Sequence, residues 1–150
     1  MKGFRFSKDA EAVFGDIDAM GHVNNVVHLR WIETARIAYW VHVTGGKPHP
    51  PGPGVMSGVL IDMILARTEI DYRSPVNHGE KLDVFVRTSL IKRSSMVLEY
   101  AVVAKSDGRL VAEAKTVVVC YDYELLRPRP VSQEMKASIL ALDPDARVEI

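Results

Sequence analysis

Residues 14–36 read FGDIDAMGHVNNVVHLRWIETAR, and the character of the chain changes midway through them. Asp16 and Asp18 flank Ile17, the small-residue turn Ala19-Met20-Gly21 follows, and His22 precedes the pair Asn24-Asn25. Beyond the asparagines an apolar run begins, interrupted by Arg30, Glu33 and Arg36. Asparagine is a favoured N-cap because its side chain accepts a hydrogen bond from an unpaired N–H of the first helical turn. The pattern predicts a strand, a tight turn carrying Asp18, and a helix from about residue 25 to 44, stopped by Gly45-Gly46. Val26, Leu29, Trp31, Ile32, Ile37, Trp40 and their neighbours make that helix apolar on most faces, so it is expected to be buried. At about 1.5 Å per residue it is about 28 Å long, which suits a helix wrapped by a curved sheet.

The same stretch has chemical consequences. Free N–H groups at a helix start, with the positive end of the dipole, favour an oxygen that is becoming negative. A carboxylate beside them can activate water or attack a carbonyl directly. Together they make a centre for acyl transfer or hydrolysis. Aspartate and asparagine are also ordinary turn and cap residues, and spacing alone leaves both readings open.

The rest of the chain supplies strands. Residues 3–14 read as a first strand whose alternation breaks at Lys8-Asp9, and residues 47–58, KPHPPGPGVMSG, form a breaker-rich connector or flap. Further strands are expected over 59–72, 81–91, 96–105 and 109–123, with Asp107-Gly108 as a hairpin signal. A helix followed by a run of antiparallel strands is an α+β layout. We therefore expect one domain over residues 1–126 and a tail over 127–150, with a weak helix at Ser132–Leu142 and no assigned function.

Composition removes several function classes. Lysine plus arginine equals aspartate plus glutamate at 19 each, so no net field draws nucleic acid or an acidic membrane surface. No apolar stretch is long enough to span a bilayer, and MKGFRFSKDAE has no signal-peptide core, so a cytoplasmic location is expected. The five histidines lack HExxH spacing and the lone Cys120 cannot supply CxxC, so neither a metal nor a cofactor is expected. The phosphate-loop, dinucleotide and GxSxG signatures are absent.

The run Phe14-Gly15-Asp16-Ile17-Asp18, then Gly21-His22-Val23-Asn24-Asn25, then Glu33 two helical turns on, resembles the signature of the 4-hydroxybenzoyl-CoA thioesterase-like branch of hotdog-fold acyl-CoA thioesterases. The likeness covers roughly residues 3–123, and only 14–36 carry a specific motif. It implies a hotdog fold, an antiparallel five-stranded sheet wrapped round a long central helix, assembled as a homodimer or homotetramer. It implies hydrolysis of an acyl-CoA to free acid and CoA, with Asp18 as general base or nucleophile and a main-chain N–H at or near Asn25 as oxyanion donor. Such chemistry needs no strong general acid, because a thiol with a pKa near ~8.5 leaves readily as thiolate. One branch has a histidine where this chain has Asn25, so that histidine's role does not transfer. Glu33 either orients water in its own or a neighbouring subunit's site, or pairs with Arg30 or Arg36 at the surface. His22 and Asn24 are placed with the substrate, His22 as a loop-shaping group or a participant. The turn Lys92-Arg93-Ser94-Ser95 offers two cations and two hydroxyls suited to the phosphates of CoA. Two alternatives stand beside this reading: a hotdog protein that binds acyl thioesters without hydrolysing them, and a thioesterase acting on acyl-carrier-protein thioesters. The hydratase branch pairs an aspartate with a histidine five positions on and an Asn-Pro between them; here His22 follows Asp18 by four and Asn-Pro is absent.

Overall fold

The structure, a computed structural model, describes residues 1–149. Its centre is α1, Asn25–Thr44, capped by Asn24 and closed by Gly45 in the left-handed conformation that glycine adopts without penalty. Trp31, Ile32, Ala35, Tyr39, Trp40 and Val43 recur at helical spacing and form one buried stripe. Burial is not all round, as the apolar composition had implied. Val26 is 68% exposed and Leu29 and Glu33 are also on the open side, because the sheet of one chain covers a single face of the helix.

The sheet is built from β1 (Phe6–Glu11), β4 (Met63–Tyr72), β5 (Lys81–Ile91), β6 (Ser95–Ala104) and β7 (Leu110–Asp122), in the antiparallel order β1-β5-β6-β7-β4. Alternate residues point at the helix: Leu82, Val84 and Val86 from β5, Leu98 and Tyr100 from β6, Ala112, Ala114 and Val118 from β7. Each large side chain fully buried in this way contributes about 1.5–3 kcal/mol. Two short strands extend this sheet, β8 (Arg127–Pro128) beside β7 and β9 (Arg147–Val148) parallel to β5. This is the expected α+β hotdog layout, a long helix held by a curled antiparallel sheet.

Local chemistry moves several boundaries. The first strand stops at Glu11 because the chain from Val13 folds into a 3-10 turn, Phe14–Asp16, whose Asp16 carboxylate accepts from the Val13 N–H at 3.0 Å. The expected strand over 59–72 divides into β3 (Val59–Leu60) and β4. Between them Asp62 turns to accept from Trp40 Nε1 at 3.1 Å and from Arg129. The connector holds a small hairpin, β2 (Val55–Met56) with β3. The tail packs on the domain through α2 (Gln133–Leu142), where Ser132 Oγ caps the helix and Met135 and Ile139 are buried. Just beyond it, Asp143 accepts from Tyr39 Oη at 2.6 Å and from the Thr88 N–H at 2.9 Å. Strand β4 is an edge: β7 is its partner on one side, and Ile64 and Leu65 are exposed. Among the described residues no helix is long and apolar enough to cross a membrane.

Candidate active site

The turn before α1 is closed by its own backbone. Ile17 and Val23 form an antiparallel bridge, the Asp18 N–H donates to the His22 carbonyl at 2.9 Å, and the Gly21 N–H donates to the Asp18 carbonyl at 3.1 Å. Gly21 has φ +83°, a left-handed conformation that a side chain would strain. The Met20 N–H donates to Asp18 Oδ1 at 2.9 Å. Asp18 is thus half-buried and oriented through one oxygen, with its second oxygen left without a protein partner among the described residues.

Asp16 is used differently. It is 4% exposed, and its carboxylate takes the Val13 N–H on one oxygen and Arg30 Nη2, at 2.7 Å, on the other. Its carbonyl takes the Asn24 N–H at 2.9 Å. Burial works to raise the Asp16 carboxyl, but the Arg30 and Val13 hydrogen bonds and the Arg30 charge outweigh it and hold the group below its ordinary value.

At the helix start the cap uses specific donors. Asn24 Oδ1 accepts from the Val26 N–H at 3.0 Å and the Asn24 carbonyl from the Val27 N–H at 2.9 Å. The Asn25 N–H is left without a protein acceptor among the described residues, at the positive end of the helix dipole. The Asn25 carbonyl accepts from Tyr72 Oη at 3.0 Å, which ties the end of β4 to the first turn of α1. A backbone bond from the Val23 N–H to the Val76 carbonyl, 2.9 Å, adds a second tie.

These ties enclose a cleft of about 290 Å³. Asp18, Met20, His22, Asn25 and His28 form one wall, and Tyr72-Arg73-Ser74-Pro75 the other. Of the residues singled out from sequence, Asp18, His22 and Asn25 come together here. Asn24 caps the helix and is not among the residues that line the cleft. Glu33 lies two turns along α1, exposed and 3.9 Å from Arg36, outside this cleft. The turn Lys92–Ser95 lies at the opposite end of the sheet: Ser95 pairs with Val119 and Met63 with Cys120, whereas Tyr72 pairs with Ala112. Sequence reasoning missed His28 and the Tyr72–Pro75 wall. His28 left a signal, a polar residue three positions after Asn25 on the same helical face. Tyr72 reaches the site only through strand register, which spacing does not encode. Among the described residues no group of three or more histidine, cysteine or acidic side chains is placed to hold a metal ion.

Comparison with known proteins points one way. The family model described as the thioesterase-like superfamily matches residues 12–139. A thioesterase from Thermus thermophilus, whose crystal structure is complexed with coenzyme A and Zn, superposes with a TM-score of 0.78 at 31% identity, covering 96% of this chain and 98% of that one. The long-chain acyl-CoA thioesterase FadM of Escherichia coli (strain K12) is 23% identical over 123 residues, 82% of this chain and 88% of FadM. The uncharacterized protein YsmA of Bacillus subtilis (strain 168) is 30% identical over 98 residues, which span 65% of this chain and 60% of YsmA.

Proposed function

The chain belongs to the thioesterase-like superfamily, and from that premise we propose that it hydrolyses an acyl-CoA thioester to the free acid and CoA. One observation carries the reading: Asp18 and Asn25 line the same cleft, and among the described residues one Asp18 oxygen and the Asn25 N–H have no protein partner, which leaves a carboxylate and an oxyanion donor available to one acyl carbonyl. The carboxylate either attacks the carbonyl carbon, forming an acyl–Asp18 anhydride that water then cleaves to the free acid, or takes a proton from the water that attacks instead. In both routes negative charge develops on the carbonyl oxygen, which the Asn25 N–H receives, and CoA leaves as a thiolate. Coenzyme A in the Thermus thermophilus relative and acyl-CoA in the name of FadM support CoA as the thiol half.

The proposal includes a second copy of the chain. The open edge of β4 and the uncovered Val26 and Leu29 of α1 are apolar surface that a partner would cover. Antiparallel pairing of β4 with its counterpart brings the partner's 92–95 turn to the side of the Asp18 cleft, where its cations and hydroxyls can take CoA phosphates. The same pairing turns Glu33 toward the neighbouring site. The test of function is free-thiol release from short-chain, long-chain and aromatic acyl-CoAs. Turnover of at least one is expected. Saturable binding with no thiol release from any of them would leave a thioester-binding protein and overturn the hydrolase.

A further inference from the structure

His28 is 2% exposed, yet it lines the cleft. Its Nδ1 is enclosed and has no hydrogen-bond partner among the described residues. Among the described residues its Nε2 also makes no protein hydrogen bond, but it is not sealed in, which makes it the ring nitrogen open to contact from the cleft that His28 lines. Side chains on a helix lean toward its N-terminus, so a residue three positions after Asn25 carries its ring back over the first turn. The packing agrees with that direction. The His28 ring meets the Tyr72 ring at 5.2 Å between centroids, and the Tyr72 hydroxyl is the one bonded to the Asn25 carbonyl. Trp31 holds the ring from another side at 5.1 Å. A phenylalanine would fill this space without burying an unpaired nitrogen, so packing alone gives no reason for an imidazole.

The proton of the ring can be placed. Burial pushes the imidazole below its ordinary value, which keeps it neutral near pH 7 with a single N–H. A proton on Nδ1 would be a buried donor with no acceptor, the rarer and less favourable arrangement. On Nε2, the nitrogen that is not sealed in, it stays open to an acceptor.

We propose that the His28 Nε2–H is a second donor to the thioester carbonyl oxygen, converging on the oxygen that the Asn25 N–H also receives. This rests on the hydrolase reading above. No proton is transferred: as the carbonyl becomes an oxyanion both N–H bonds tighten, and when the thiolate leaves and the carbonyl re-forms they relax. A neutral donor suits this, since it polarises the carbonyl without protonating it. Tyr72 and Trp31 hold the ring in place, so the donor is set before substrate arrives.

Two substitutions and one spectrum test the proposal. His28→Phe keeps the ring and removes both nitrogens; His28→Gln keeps an N–H close to the Nε2 position. With whichever acyl-CoA the parent turns over fastest, His28→Phe should lower kcat by about 10²-fold, typical of losing one oxyanion donor, with little change in KM. His28→Gln should recover at least a tenth of the parent kcat. In long-range ¹H–¹⁵N spectra of the parent at pH 7, His28 should be the neutral tautomer protonated on Nε2, a result that does not depend on the variants folding. Parent-like kcat in His28→Phe, equal losses in two folded variants, or a proton on Nδ1 would each overturn the proposal. If Asp18→Asn is inactive in the same assay while His28→Phe is not, the hydrolase reading stands and this inference falls. A parent inactive on every acyl-CoA overturns both.

Discussion

Arg30 Nη2 donates to Asp16 Oδ1 at 2.7 Å, and this contact separates the roles of two aspartates that stand one residue apart in sequence. Asp16 has both oxygens engaged and a buried carboxylate stabilised by a cation; it fixes the turn to the helix. Asp18, which lines the cleft, spends one oxygen on the Met20 N–H, and its other oxygen has no protein partner among the described residues. The chemistry proposed for the site depends on that difference.

Asp16→Asn should therefore act on stability more than on chemistry. Its hydrogen bonds are charge-assisted, but Arg30 is largely exposed, so a loss of about 1–2 kcal/mol is expected near pH 7. The pH dependence has a definite sign. The folded-state value of Asp16 lies below the ordinary 3.8, so its contribution is complete above 3.8 and disappears as pH falls through the folded value. Urea unfolding at pH 7 and near pH 3 should show the gap between parent and variant narrowing at the lower pH. A gap that is constant or widens with acid would contradict this account of the turn.

Tyr39→Phe should loosen the C-terminal segment. The Tyr39 hydroxyl lies 2.6 Å from both Thr88 Oγ1 and Asp143 Oδ2, and Asp143 is the residue that ends α2. Without the hydroxyl, Asp143 Oδ2 keeps only the Thr88 N–H among the described residues, while its Oδ1 already lacks a partner among them. A loss of about 1–3 kcal/mol is expected, with faster hydrogen exchange at the amides of α2 than at those of β6. Unchanged exchange in α2 would show that the network does not hold the tail.

These contacts also show what the sequence made legible. The helix over 25–44 could be read because its cap, apolar run and glycine stop are local signals, and the Asp107-Gly108 hairpin likewise. The early end of β1 could not, because it depends on Asp16 accepting from Val13 while paired with Arg30, fourteen residues away. At the site, Asp18, His22 and Asn25 lie in one stretch and were found together. Tyr72 and Ser74 join them only once β4 is placed beside β7 and the chain turns at Pro75. The sequence shows His28 but not its role, since a histidine in an apolar helix acquires meaning only when the neighbours of its nitrogens are known.

Assembly and the CoA contact can be tested together. The parent should sediment as a dimer or larger species at micromolar concentration; a single monomer peak would contradict the pairing of β4 edges. Lys92→Ala with Arg93→Ala should raise KM for acyl-CoA and weaken its salt dependence, with little effect on a short thioester lacking the nucleotide. If the turn serves the partner's cleft, mixing and reassembling these chains with Asp18→Asn chains should restore some low-KM turnover. One site of each mixed dimer would then combine an intact Asp18 with an intact turn. No recovery in verified mixed dimers would place the turn's effect within its own chain.

The central claim is that Asp18 performs the hydrolysis, and the most direct measurement is kcat for free-thiol release by Asp18→Asn beside the parent, on the acyl-CoA the parent prefers. Asparagine keeps the shape of the side chain and can still accept from Met20, so the turn should hold and circular dichroism and acyl-CoA binding should match the parent. It cannot attack a carbonyl or take a proton from water, so kcat should fall by about 10²-fold or more. A folded Asp18→Asn chain that releases thiol at near the parent rate would contradict the account.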